Sequence, residues 1–221
     1  MKRIMLLILV TMTMAFFSGC DAIDDLLSQF EETEEAFAEL SDLTGGQQIS
    51  AKDAEDLPKK MIEILGQATK DKVGPEVVFL IDKTGSMKDD IDSVKEDLSA
   101  ILAVLPANTH VAFATYGDKN EDGDTWFSTT ELTTDHDLIQ AEIDKVVAEG
   151  GGDIPESVYD ALYEVMDRLE WGSNSLRMIL LIGDAPPLTG DLTTYSLDDV
   201  VEKSKATTPP INVFTIAIEE L

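Results

Sequence analysis

The stretch Val77-Val78-Phe79-Leu80-Ile81-Asp82-Lys83-Thr84-Gly85-Ser86-Met87 decides the fold. Its first five residues are apolar without interruption and rich in β-branched side chains, the pattern of a strand buried on both faces. The next six change character at once to carboxylate, hydroxyls and glycine, so the strand runs straight into a tight polar turn. Outward from this point, strand-like and helix-like segments alternate. Residues 89–105 carry Ile91, Val94, Leu98, Ile101 and Leu102 on one helical face, and 110–116 read as a strand. Residues 125–132 suit an edge strand, 138–148 and 156–169 suit helices, and 178–182 form a second buried strand. A helix over 195–206 and a strand over 211–218 complete the series. Such alternation predicts an α/β domain with a mainly parallel, Rossmann-like sheet flanked by helices. Ligands of these sheets sit beyond the carboxyl ends of the strands, which directs attention to the loops there.

Three loops carry the chemistry. Asp82, Thr84 and Ser86 place oxygen-bearing side chains at alternate positions of one turn. Gly150-Gly151-Gly152-Asp153-Ile154-Pro155-Glu156 allows close backbone approach and sets two carboxylates three residues apart. Gly183-Asp184-Ala185-Pro186-Pro187 follows the second buried strand. If the two buried strands are parallel neighbours, Asp184 emerges at the same edge as Asp82. Carboxylate and hydroxyl oxygens without a soft donor suit a hard divalent cation such as Mg²⁺ or Ca²⁺. Singly, an Asp at a strand end is as readily a helix cap; the three loops in this order are harder to obtain by chance.

Together these loops resemble the von Willebrand factor type A (VWA) domain with its metal-ion-dependent adhesion site. Asp82, Thr84 and Ser86 match the D-x-S/T-x-S motif, Asp184 matches the aspartate after the fourth strand, and Gly151-Gly152-Asp153-Ile154-Pro155-Glu156 resembles the G-G-D-x-P-E, hemicentin-like subgroup. The resemblance spans residues 76–218. It implies a metal set of Asp82, Thr84, Ser86 and Asp184, completed by Asp153 or Glu156, with Asp153 slightly ahead because Glu156 also suits a helix N-terminus. It further implies Mg²⁺ (or Ca²⁺ or Mn²⁺), hydroxyls bound directly, and an open position filled by a Glu or Asp of a partner protein. Lys83, Met87, Tyr116 and Asp118 would lie near the rim. One departure stands out: family members continue past the strand at 211–218 with a helix, a strand and a closing helix, whereas here only three residues follow. The sheet is therefore expected to lack its last strand and helix, with Phe214 less covered, unless a partner, another subunit or the 21–74 segment covers that edge.

The 221-residue chain has 44 acidic and 16 basic residues and a formal charge of −28. That balance argues against nucleic acid and against polybasic adhesion to anionic lipid. One cysteine excludes a disulfide framework or a cysteine-based zinc site, and His110 and His136 are too few to replace it. The cysteine has its own explanation. Met1-Lys2-Arg3 and an apolar run to Phe17 read as a secretory signal (residues 1–19), and Ser18-Gly19-Cys20 resembles a bacterial lipobox, with Cys20 as the lipidated residue. Asp21 resembles a retention signal for the inner membrane. The expected location is the bacterial cell envelope, with the chain lipid-anchored to the extracytoplasmic side of the inner or outer membrane.

Between anchor and domain, 20–74 reads as an acidic, partly helical spacer, with the sheet domain over 75–221. Leu26, Leu27, Phe30, Ala36, Phe37 and Leu40 fall near helical spacing before Gly45-Gly46, and Leu57, Met61, Ile64 and Leu65 do so after it. A competing reading makes the first of these a docking helix anchored by Leu26, Phe30 and Phe37. Three function classes follow. The favoured one is a membrane-anchored, metal-dependent protein-binding module and not an enzyme. The alternatives are a Mg²⁺-dependent hydrolase or phosphotransferase, and a structural envelope lipoprotein with a stabilising ion. No G-x-x-x-x-G-K-S/T loop and no G-x-S-x-G elbow with a triad supports other catalysis.

Overall fold

A computed structural model describes residues 27–51, 59, 63, 74–152, 154–172 and 176–218. Helix α1 covers residues 27–44, and strand β1 (Gln48–Ala51) follows it. Then come β2 (Glu76–Asp82), α2 (Ile91–Val104), β3 (His110–Tyr116), β4 (Phe127–Thr129), α3 (His136–Ile143), α4 (Val158–Arg168), β5 (Arg177–Gly183), α5 (Leu197–Lys205) and β6 (Ile211–Ile218). The described strands form one sheet of order β1-β6-β5-β2-β3-β4, parallel except for β4. Among the described residues no helix is long and apolar enough to cross a membrane. The signal segment, Cys20 and Leu26 lie outside the described residues, as do Leu57, Met61, Ile64 and Leu65.

Strand β2 is buried along its whole length because both faces are covered. Val77, Phe79 and Ile81 pack under α2 and α3 through Val94, Leu98, Ile101 and Ile139. Val78 and Leu80 pack under α1, α4 and α5 through Phe37, Leu40, Leu162 and Val200. Alternate residues of one strand thus feed two cores, as the period of two requires. The edge strand expected over 125–132 is shorter, because a turn of 3₁₀ helix at Gly123–Thr125 delays it and only Phe127–Thr129 pair with β3. Similarly, α3 stops at Ile143, and 145–152 form loop.

At the other edge the structure realises one of the alternatives, cover by the 21–74 segment. The sheet does not end at β6: β1 pairs with it in parallel, Gln48 opposite Thr215 through Ala51 opposite Ile218. The spacer expectation therefore fails for 27–51, which belong to the sheet domain, and the domain does not begin at 75. The reason is visible in α1. Its buried stripe is Thr33, Phe37, Leu40, Ser41 and Thr44, of which three are hydroxyl residues. These hydroxyls are satisfied by their neighbours. Ser41 Oγ lies 2.9 Å from Thr215 Oγ1, Thr215 Oγ1 donates to the Phe37 carbonyl at 3.1 Å, and the Val213 N–H donates to Thr44 Oγ1 at 3.2 Å. Phe37 is fully buried in the core, so it is not available as an anchor for an external partner. Phe214, expected to be poorly covered, packs against the first core.

Helix α1 ends in a Schellman turn. Gly45 adopts φ +80° and donates to the Asp42 carbonyl, and Gly46 donates to Ser41 at 2.9 Å. Gly46 then passes so close to Val213 that a Cβ would overlap its carbonyl. At the carboxyl side of the sheet, buried Asp160 of α4 ties two loops together. Lys119 Nζ donates to its Oδ1 at 2.5 Å and to Thr194 Oγ1 at 2.8 Å, while the Thr194 N–H and the Thr193 hydroxyl donate to Asp160 Oδ2. Burial alone would raise the Asp160 pKa, but hydrogen bonds from Lys119, Thr193 and Thr194 outweigh it and hold the carboxyl below its ordinary value.

Two outcomes follow. Gly46→Ala should push β1 off β6, cost about 3 kcal/mol or more, and accelerate amide exchange along 211–218. Asp160→Asn should cost about 1–3 kcal/mol at neutral pH, read by denaturant unfolding. A depressed carboxyl pKa contributes stability that is present above the unfolded-state value of about 4 and lost as pH falls through the folded value. The gap between the two proteins should therefore close below about pH 4; a gap unchanged there would assign the effect to shape alone.

Candidate metal centre

The parallel pairing of β2 with β3 and β5 brings the loops together at one edge. Ile81 lies opposite Thr115 on one side and Ile182 on the other, so Asp82, Gly117 and Asp184 leave the sheet side by side. Here β2 sends its crossover over one face through α2, while β5 sends its own over the other through α5. This is the switch point at which a crevice opens.

Backbone hydrogen bonds stitch the loops into a unit. The Gly85 N–H donates to the Gly150 carbonyl at 3.1 Å, and Glu149 N–H donates to Lys83 at 2.8 Å. The glycine-rich loop is clasped in turn to the loop after β5, since Glu156 N–H donates to Pro186 and Leu188 N–H to Glu156. Within the first loop, Asp82 Oδ1 accepts from the Thr84 N–H at 2.8 Å and its hydroxyl at 2.7 Å, and Thr84 Oγ1 lies 2.9 Å from Ser86 Oγ. Asp82 Oδ2 and Glu156 Oε2 are buried without a partner in good hydrogen-bonding geometry, the Tyr116 hydroxyl being a further donor close to Asp82.

A cavity of about 220 Å³ opens between these loops, lined by Thr84, Ser86, Gly150, Gly151, Gly152 and Glu156, with Gly85 and Ile154. Gly151 adopts φ +66°, and a Cβ there would stand 2.8 Å from Glu156 Oε1 and 3.1 Å from Thr84. Glycine is therefore required twice over, by backbone conformation and by space.

The carboxylates crowd one another. Burial, then Asp184, pushes the Asp82 pKa up to about 7. Burial, then Asp82, Asp118, Asp184 and Asp122, pushes Glu156 up to about 9. Tyr116, buried beneath, is raised well above its ordinary value by burial and by Asp82, Asp184 and Glu156. Burial, Asp184 and Asp89 also raise Asp90, at the start of α2. Burial and mutual repulsion thus both oppose full ionisation of these carboxyls. Among the described residues no three Asp, Glu, His or Cys side chains group closely enough to hold an ion by themselves. Any oxygen set among them thus draws on the Thr84 and Ser86 hydroxyls.

Of the residues singled out from sequence, Asp82, Thr84, Ser86, Glu156 and Asp184 are brought to this edge. Asp153 lies outside the described residues. Two rim expectations fail: Met87 is buried in the first core, and Tyr116 lies under the site. Lys83 lines a different cavity, of about 310 Å³, between β3, β4 and residues 142–149.

Sequence reasoning missed Asp122. Its carboxylate accepts from the Gly151 N–H at 3.0 and 3.1 Å and from the Asp118 N–H at 3.0 Å, fixing the glycine loop over the cavity. The signal was Asp118-Lys119-Asn120-Glu121-Asp122-Gly123, an acidic turn directly after a buried strand at the same edge.

The family model for the von Willebrand factor A domain matches residues 76–209. Among solved structures, the conserved hypothetical protein BatB from Bacteroides thetaiotaomicron is similar at 18% identity with a TM-score of 0.48, over 65% of this chain and 66% of that one. Comparison with curated proteins gives no match. The matched span covers more than half of the chain and contains the first loop, the glycine loop and the loop after β5. The chain belongs to the von Willebrand factor A domain family.

Proposed function

We propose that this VWA domain is a divalent-metal-dependent protein-binding module, anchored in a bacterial envelope by a lipid on Cys20. The observation that carries the metal is the convergence of Thr84, Ser86 and Glu156 on one cavity above Asp82, with two buried carboxylate oxygens lacking a partner in good hydrogen-bonding geometry. Buried charge without a partner is costly, and a hard cation such as Mg²⁺, Ca²⁺ or Mn²⁺ relieves it. The oxygen donors fit that ion. Asp82, Thr84, Ser86, Asp184 and Glu156 or Asp153 would hold it, and the bound cation would supply a positive point for a carboxylate of another protein. The hemicentin-like G-G-D-x-P-E turn belongs to this reading as the loop that closes the cavity, with Gly151 giving Glu156 room.

The remaining residues act by position. Asp122 keeps the glycine loop down, and the Thr84–Asp82 hydrogen bonds hold the first turn in shape. The cavity lining offers hydroxyls, a carboxylate and glycine backbone, which supports the binding of a ligand through a cation. A strongly acidic chain repels acidic partners at distance, so attraction to a carboxylate depends on the local field of the ion.

Mg²⁺, Mn²⁺ or Ca²⁺ at about a hundred times its Kd should stabilise the fold by about 2.7 kcal/mol, raising Tm by about 5–10 °C. EDTA should reverse the shift. Asp82→Asn, which keeps an acceptor for Thr84 but loses the charge, should fold and show little of it; an undiminished shift would place the ion elsewhere. Acyl anchoring is separable: fatty-acid label should enter the wild-type chain in bacteria and not Cys20→Ser, and equal labelling would refute the anchor.

A further inference from the structure

A third cavity, of about 530 Å³, adjoins the one between the site loops, and Ile154 lines both. Its apolar lining comes from Ile154, Pro155 and Tyr159 on one side of the site and from Pro186 and Pro187 on the other. Across from these lies α1, which contributes Ala36 and, at the lip, exposed Glu32. Ile154 is 45% exposed, an isoleucine held out beside the cavity of a proposed metal site. Helix α1 is also one-sided in charge. Between residues 27 and 44 it carries Glu31, Glu32, Glu34, Glu35, Glu39 and Asp42 and no lysine or arginine. Thr33, next to Glu32 and about one turn from Ala36, touches the site loop, since its hydroxyl reaches the Asp184 carbonyl at 3.4 Å.

We propose that this groove is the specificity half of the ligand site. It takes an extended segment of a partner protein with an acidic residue at the metal, an apolar residue two positions away, and a lysine or arginine beyond it facing α1. The inference rests on the metal-binding reading of the preceding section. Residues i and i+2 of an extended chain point the same way about 6.6–7 Å apart, and the two cavities they would enter share Ile154 as a common wall. The apolar residue sits against the prolines and Ile154, where water is easily displaced. The basic residue answers the acidic helix, which would otherwise oppose any carboxylate ligand. Partner recognition then depends on α1, the element that precedes the metal motif in the chain and lies outside the family match.

The test selects random linear phage-displayed peptides on the full chain with Mg²⁺ and elutes them with EDTA. Enriched peptides should share the acidic–apolar–basic order. Their synthetic forms should bind Glu32→Lys about fivefold more weakly and Ala36→Trp, which fills the groove, about tenfold more weakly. Both variants should keep the Mg²⁺-induced rise in Tm, which shows that they fold and hold metal. Enriched peptides with an acidic residue but no flanking pattern, or unchanged binding to both variants, would overturn the groove and leave the metal site standing. No Mg²⁺-dependent enrichment alongside an absent Tm shift would overturn both. A Tm shift without any enriched peptide would overturn the groove alone.

Discussion

Parallel pairing of β2 on both sides is the constraint from which the rest of this domain follows. A strand with neighbours on either hand and helices on either face can carry no water-facing residue, which is why Val77 to Ile81 is apolar throughout. The same pairing delivers the loops after β2, β3 and β5 to one edge at matched height. Polar residues become possible only where the strand ends, and there they come in quantity. The change from Ile81 to Asp82 therefore marks both the end of the core and the start of the chemistry. Burial persists for one more residue, and that is what makes Asp82 unusual: its carboxyl is inside the protein with one oxygen poorly partnered.

The outer edge of the sheet is solved differently. A parallel strand left at the margin exposes a row of unpaired backbone groups. Here the margin is moved outward to the four-residue strand β1, laid along β6, with α1 folded over the junction. Hydroxyls do much of the joining. Ser41 and Thr215 share a hydrogen bond, Thr215 donates to the Phe37 carbonyl and Thr44 accepts from the Val213 N–H, so a helix dense in acid on its outer face still seats firmly. Asn212 adds donors to the Thr44 and Gly45 carbonyls, capping the helix end. The arrangement also puts α1 within reach of the loop after β5, through Thr33 and the Asp184 carbonyl.

The central architecture was legible because its signals are strong and local. Continuous apolar runs named β2 and β5, helical periodicity named α2, α4 and α5, and three loop motifs named residues that the fold gathers. What escaped notice did so for physical reasons. Strand β1 is four residues long and begins with Gln48, so it carries no apolar run. Helix α1 buries threonine and serine, which a hydrophobic periodicity does not count. Asp122 matters only because it meets the Gly151 N–H, twenty-nine residues away in sequence, and no local pattern encodes that contact. Met87 and Tyr116 were placed near the rim by their closeness to the motif, yet the turn after β2 sends Met87 inward and the strand geometry sends Tyr116 beneath.

Electrostatics joins these features into one design. Asp82, Glu156 and Asp184 are held close by backbone hydrogen bonds that do not depend on their charge. The loops are therefore set by the glycine turns, by Asp122 and by strand pairing, while the carboxyls they carry resist ionisation through burial and mutual repulsion. The scaffold supplies the stability that the cluster removes. In the proposed role, strength of ligand capture and cost to the fold would have one origin, since both would scale with how tightly the carboxylates are confined. Relaxing the glycine loop would ease the repulsion, but it would also spread the oxygen donors. Gly151, with its left-handed backbone and its contact to Glu156, sits where these two demands meet.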